Sequence, residues 1–185
     1  MKLEFPLIGD RLLLRTLTEV DATRRYLAWL SDPDVIRHLE IRFAPPETLD
    51  DLSRFISDTN DSDDSIILGI FLRNVDQHIG NIKLGPINRH HSTADIGLVI
   101  GERSEWGKGH ASMAIGLLTD HAFATFGLAK ITAGCYCGNE GSRRAFLKAG
   151  FTEEGRRKAQ YTVDGRRQDG ILLGMVNPEL EWENS

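Results

Sequence analysis

The chain has 185 residues, of which 41% are hydrophobic and 26% charged, and a formal net charge of -5 at pH 7. That length suits one domain with a sizeable core, which we place over residues 1–185. The acidic balance argues against nucleic acid as the main partner, since such a partner normally needs a basic stripe, and no apolar run reaches the roughly 20 residues that cross a bilayer. The opening stretch Met1 to Pro6 carries an acid and a proline where a signal peptide needs an apolar run, so a cytoplasmic protein is expected. The two cysteines, Cys135 and Cys137, share one face of a strand, a poor geometry for a mutual disulfide, and lack a histidine at zinc spacing, so no metal is expected.

In chain order, residues 11–16 read as a strand. Thr18 with Asp21 forms a capping pair that predicts a helix through Leu30, with Leu17, Val20, Tyr26, Leu27 and Leu30 on its apolar side. The Asp32, Pro33, Asp34 run ends it. Residues 35–46 lose their period, and Thr48 opens a second helix on which Leu49, Leu52, Phe55 and Ile56 recur at helical spacing. Residues 65–73 and 78–84 read as a hairpin of strands, and residues 85–91 turn the chain back into a strand at 94–100. The adjacent His90 and His91 have no acidic or thiol partner at ligand spacing and read as exposed loop.

Residues 108–126 read as a helix stopped by Gly127. The strand that follows, 128–137, puts Ile131, Ala133, Cys135 and Cys137 on one face and Thr132, Gly134 and Tyr136 on the other. A strand, a helical crossover and a second strand imply parallel pairing. After Asn139 comes a short helix with Ala145, Phe146 and Leu147 inward and a stop at Gly150. Residues 151–176 close the chain as a hairpin around Asp164 and Gly165, with Arg156, Arg157 and Lys158 as a solvated edge.

The most informative stretch is 92–114, where an apolar strand runs into Trp106, Gly107, Lys108, Gly109, His110, Ala111 and Ser112 at the start of a helix. Main-chain N–H groups there have no partner inside the helix and point outward at its positive end, which suits an anion. Glycine at 107 and 109 lets a diphosphate come close to the main chain. A Walker loop needs four residues between its first glycine and its Gly-Lys pair, and Gly101 to Gly107 is too wide. A dinucleotide fingerprint belongs after the first strand of a βαβ unit, whereas this turn lies past mid-chain. An ordinary glycine-containing loop remains open for the turn taken alone.

About 30 residues on, Asn139, Ser142, Lys148, Ala149, Gly150 and Phe151 repeat the pattern of strand, polar cap, short helix and Gly-Phe stop. Together the two motifs resemble the acetyl-CoA-binding core of GNAT-type N-acetyltransferases, most closely the branch of ribosomal-protein N-terminal and amino-sugar acetyltransferases. The resemblance implies an α/β (α+β) GNAT fold: a mixed sheet of about seven strands splayed between the fourth and fifth, flanked by about four helices. It implies acetyl-CoA as co-substrate and direct attack by a primary amine, with the arm of the cofactor along Leu98, Val99 and Ile100, one of whose N–H groups serves as oxyanion donor. Trp106 to Ser112 would hold the diphosphate, and Asn139 and Ser142 would face the arm.

Many members of the family carry a tyrosine acid where this chain has Phe146, so the acid role passes to Ser142, with Tyr136 in reserve. Asp95 is the candidate base. Arg42, Phe43, His78, Lys83 and Asn88 are candidate acceptor contacts, and through Arg42, Asn88 and residues 79–86 the chain loosely resembles enzymes of nucleotide-linked amino sugars. A protein N-terminus is the alternative acceptor, and a non-catalytic acyl-CoA-binding module the alternative of another class. Family members often dimerise, which leaves a homodimer open.

Overall fold

The computed structural model describes residues 1–181; the last four of the expected single domain, 182–185, lie outside the described residues. One eight-stranded sheet runs through it in the order β1-β2-β3-β4-β5-β6-β8-β7. The strands are β1 (Leu7–Ile8), β2 (Leu12–Thr16), β3 (Ile66–Leu72), β4 (Gln77–Asn88), β5 (Thr93–Ile100), β6 (Lys130–Tyr136), β7 (Thr152–Val163) and β8 (Arg166–Val176). Every pairing is antiparallel except β5 with β6. The eighth strand beyond the seven expected is the two-residue β1, too short to carry a periodic signal.

Five α-helices flank the sheet: α1 (Arg24–Ser31), α2 (Pro33–Ile36), α3 (Leu49–Asn60), α4 (His110–Phe126) and α5 (Glu140–Lys148). The fifth helix corrects the expected four. Pro33 does end α1, yet it also opens α2, since proline is well placed in a first helical turn, where its missing N–H has no partner to lose. The Thr18 and Asp21 capping box is present but caps only a 3₁₀ turn at Glu19–Asp21, because Asp21 is drawn into an ion pair with Arg15 at 2.7 Å. Val20 on that turn is 84% exposed, and Leu147 on α5 also faces out, so neither joins the core. Residues 85–88, read as a turn, continue β4 across an irregularity between Leu84 and Ile87; the reversal comes at 89–92.

Two cores sit on opposite faces of the sheet. On one, α4 and α5 close over Leu12, Leu14, Ile82, Ile96, Ile115, Leu118, Ile131 and Phe146. On the other, α1 and α3 bring Tyr26, Trp29, Leu30, Leu52 and Ile56 against Leu17, Ile67 and Phe71. Each such aliphatic side chain contributes roughly 2 kcal/mol by leaving water. The second core covers β2, β3 and the start of β4. It leaves β5 and β6 open on that face, where Asp95, Gly97 and Gly134 are exposed.

The pairing of β5 with β6 lasts only three rungs, Thr93 with Lys130, Ala94 with Ile131 and Asp95 with Thr132. Beyond Asp95 the strands part: β5 stays on β4 as far as Ile100, while β6 stays on β8 as far as Tyr136. A wedge opens between them, in the place expected once β1 is left out of the count.

Candidate active site

The wedge exposes main chain. The Gly101 N–H donates to the Ile79 carbonyl at 2.9 Å, which sets the alternation of the β4-β5 ladder. Counting back, Val99 turns its N–H and C=O toward Asn81, its partner in β4, whereas Leu98 and Ile100 turn theirs into the wedge. The Ile100 carbonyl is already taken, accepting from Nε1 of the Trp106 indole at 2.7 Å. Of the three residues expected to line the cofactor arm, two present their main chain to it and Val99 does not.

The turn above the wedge has the geometry that the glycines require. Gly107 and Gly109 have φ of 75° and 83°, the left-handed region, and a Cβ at Gly107 would meet nothing within 4 Å. Gly109 is the N-cap of α4 and offers no side-chain bond, so the first N–H groups of the helix stay available. Ser112 supports the turn by donating to the Gly109 carbonyl at 2.9 Å, with Ala111 half-buried beside it. Lys108 does not point its charge at an anion: Nζ pairs with Glu105 Oε1 at 2.8 Å. The other carboxylate oxygen of Glu105 takes His110 Nε2 at 2.9 Å, and Lys108 holds this carboxylate below its ordinary pKa. Two cations that the sequence reading passed over, Arg11 and Lys148, come within 3.8 Å of where a Gly109 Cβ would stand. A concave turn of free amides, open at its glycines and flanked by cations, fits a diphosphate.

Across the wedge, Asn139 caps α5, its Oδ1 accepting from the Ser142 N–H at 3.1 Å. That leaves the Nδ2 amide of Asn139 for a ligand. Ser142 is half-buried in the first turn of α5, with its hydroxyl not used for the cap. Phe146 is core, packed edge-on to Phe151 with ring centroids 5.1 Å apart.

The open face below holds the acceptor candidates. Asp95 is exposed at the last rung before the strands part, its carboxylate accepting from the Thr132 hydroxyl. Lys83, directly opposite Gly97 in the ladder and therefore on the same face, is exposed too. Tyr136 stacks on Tyr161 with ring centroids 3.9 Å apart, and its hydroxyl donates to Glu40. Burial, with that bond added, pushes its phenol up to about 12. Arg42 lies 5.1 Å from the Tyr136 ring and 4.4 Å from that of Phe43, and its guanidinium donates to the carbonyls of Arg37 and Thr162. Phe43 itself is 69% exposed.

Two candidates fall elsewhere. His78 belongs to the second core, stacked on Phe71 at 4.7 Å and edge-on to Tyr26 and Trp29, with Nε2 bonded to the Gly80 carbonyl and Asn81 Oδ1. Burial lowers its pKa. Asn88 accepts from the N–H groups of His90 and His91, holding the turn at the far end of β5. Glu40 and Tyr161 escaped the sequence reading. Glu40 stood inside the irregular segment 35–46, but only the tertiary contact with Tyr136 singles it out from its neighbours. Tyr161 looked like any residue of an outer strand.

A family model described as an acetyltransferase (GNAT) domain matches residues 11–152. A Bacillus licheniformis protein named "Uncharacterized N-acetyltransferase p20" is 28% identical over 94% of this chain and 97% of its own. "Probable N-acetyltransferase YjcK" of Bacillus subtilis is 34% identical over 65% of this chain and 67% of its own. Among solved structures, spermidine N-acetyltransferase from Vibrio cholerae in complex with CoA and spermine superposes with a TM-score of 0.79 at 23% identity, covering 91% of this chain and 96% of that one. The chain belongs to the GNAT acetyltransferase family, N-acetyltransferases whose co-substrate is acetyl-CoA.

Proposed function

We propose that the chain acetylates a small cationic primary amine by direct attack within a ternary complex. The observation that carries this reading is the Glu40 carboxylate, held by the Tyr136 hydroxyl beside the Tyr136 and Tyr161 ring pair on the open side of the wedge. A carboxylate next to aromatic faces favours an ammonium group by charge and by the ring quadrupole.

Acetyl transfer to an amine needs a deprotonated nucleophile in line with the carbonyl, donors for the developing oxyanion, and a proton for the departing thiolate. Bound acetyl-CoA supplies the carbonyl and the leaving thiolate. The amides of the α4 turn anchor the diphosphate, and the N–H of Leu98 or Ile100 is the oxyanion donor. Asp95, exposed where β5 and β6 part, removes the ammonium proton, directly or through water. Ser142 is the acid. Tyr136 is less suited to that role, because its proton is engaged by Glu40.

The amino-sugar reading loses its footing. Asn88 is spent on a turn and the guanidinium of Arg42 on two carbonyls, so the residues that suggested a nucleotide acceptor are committed elsewhere. A thiol-release assay over aliphatic diamines and polyamines, nucleotide-linked amino sugars and peptide N-termini tests the proposal. Diamines or polyamines are expected to turn over. Glu40→Gln should raise their KM by about tenfold, the size of one charge-assisted contact, with KM for acetyl-CoA unchanged. Turnover of amino sugars or peptides alone would refute the acceptor class, and CoA binding with no transfer to any amine would favour the binding module.

A further inference from the structure

On the side of the α4 turn away from Lys148 lies a cleft of about 540 Å³ whose lining includes Asp10, Arg11, Arg73, Glu105, Lys108 and His110. We propose that this cleft is a phosphomonoester subsite, placed to take the 3′-phosphate of a CoA thioester whose diphosphate rests on the turn. The inference rests on the CoA-binding reading above and adds to it the residues that would recognise this second phosphate.

Three observations carry it. First, the charge balance suits a dianion. Arg11, Arg73 and Lys108 face Asp10 and Glu105, and Glu105 is already committed to Lys108 and His110. A phosphomonoester brings close to two negative charges and three acceptor oxygens. Second, donors remain. Arg11 gives one nitrogen to the Lys108 carbonyl at 3.2 Å and Arg73 one to the Gly9 carbonyl at 3.2 Å, while each guanidinium carries five N–H groups. Third, the His110 side chain is 5% exposed, and its Nδ1 is buried without a hydrogen-bond partner among the described residues. A buried polar nitrogen with no partner is unfavourable. With a proton on each nitrogen, His110 can donate from Nε2 to Glu105 and from Nδ1 to a phosphate oxygen. Lys108 and His110 belong to both the turn and the cleft, so one ligand can reach both.

Calorimetry with CoA, 3′-dephospho-CoA and inorganic phosphate decides the matter. The wild-type chain should bind CoA on the order of tenfold more tightly than dephospho-CoA, the worth of one charge-assisted contact. Arg73→Ala should bind the two alike, and Arg73→Glu should prefer dephospho-CoA. Inorganic phosphate should weaken CoA binding and leave dephospho-CoA binding unchanged. Phosphate binding undiminished by saturating CoA would support the subsite but assign it to a free phosphate. Equal wild-type affinity for both nucleotides overturns the proposal, as does a preference that survives Arg73→Ala and disappears in Lys148→Ala. Failure to bind either nucleotide would instead overturn the CoA reading beneath it.

Discussion

The helices of this chain start in two different ways. α1, α2, α3 and α5 each receive a side-chain cap from Thr23, Asp32, Thr48 and Asn139, whereas α4, with 17 residues the longest, starts at Gly109 in the left-handed region with no side-chain cap. A capped helix has satisfied its first amides from within. An uncapped one leaves them to water or a ligand. The site is the place where the chain withholds local stabilisation, and the wedge beneath makes the same choice by parting two strands that could have paired.

The largest expected effect tests the capped side of the wedge. Because Asn139 already caps α5, Ser142→Ala should leave the melting temperature unchanged while lowering kcat about a hundredfold at constant acetyl-CoA affinity, the usual worth of a general acid. A kcat near wild type would move the acid elsewhere. The uncapped side comes next. Gly109→Ala forces a Cβ into the left-handed region at about 1 kcal/mol or more and narrows the turn; CoA affinity measured by calorimetry should fall roughly tenfold. Undiminished affinity would mean that the turn does not hold the diphosphate. Smallest is the control. Thr48→Ala removes the α3 cap for about 1 kcal/mol, which at this length lowers the melting temperature by about 2 to 4 °C. CoA affinity should not change, and a drop would show that helix capping reaches the site.

How much of this was legible beforehand follows from the range of each interaction. The turn at 106–112 and the Asn139 helix were readable because glycine spacing, capping and helix ends are set by residues within one turn of each other. The helix expected from Thr18 failed for the opposite reason. Arg15 reaches Asp21 across the loop and draws it into an ion pair, a contact that propensity does not see. His78 was misplaced because a histidine on an alternating strand reads the same whether it faces a ligand or the rings of Phe71, Tyr26 and Trp29.

The sequence by itself determined the order of elements, the family and the anion-binding turn, since all of these are written in local pattern and spacing. Only the tertiary structure decided what faces that turn and the wedge. Glu40 meets Tyr136 across 96 positions, and Arg11 meets Lys108 across 97. Pairings at that distance arise when the sheet brings its strands together, so no window along the chain contains them.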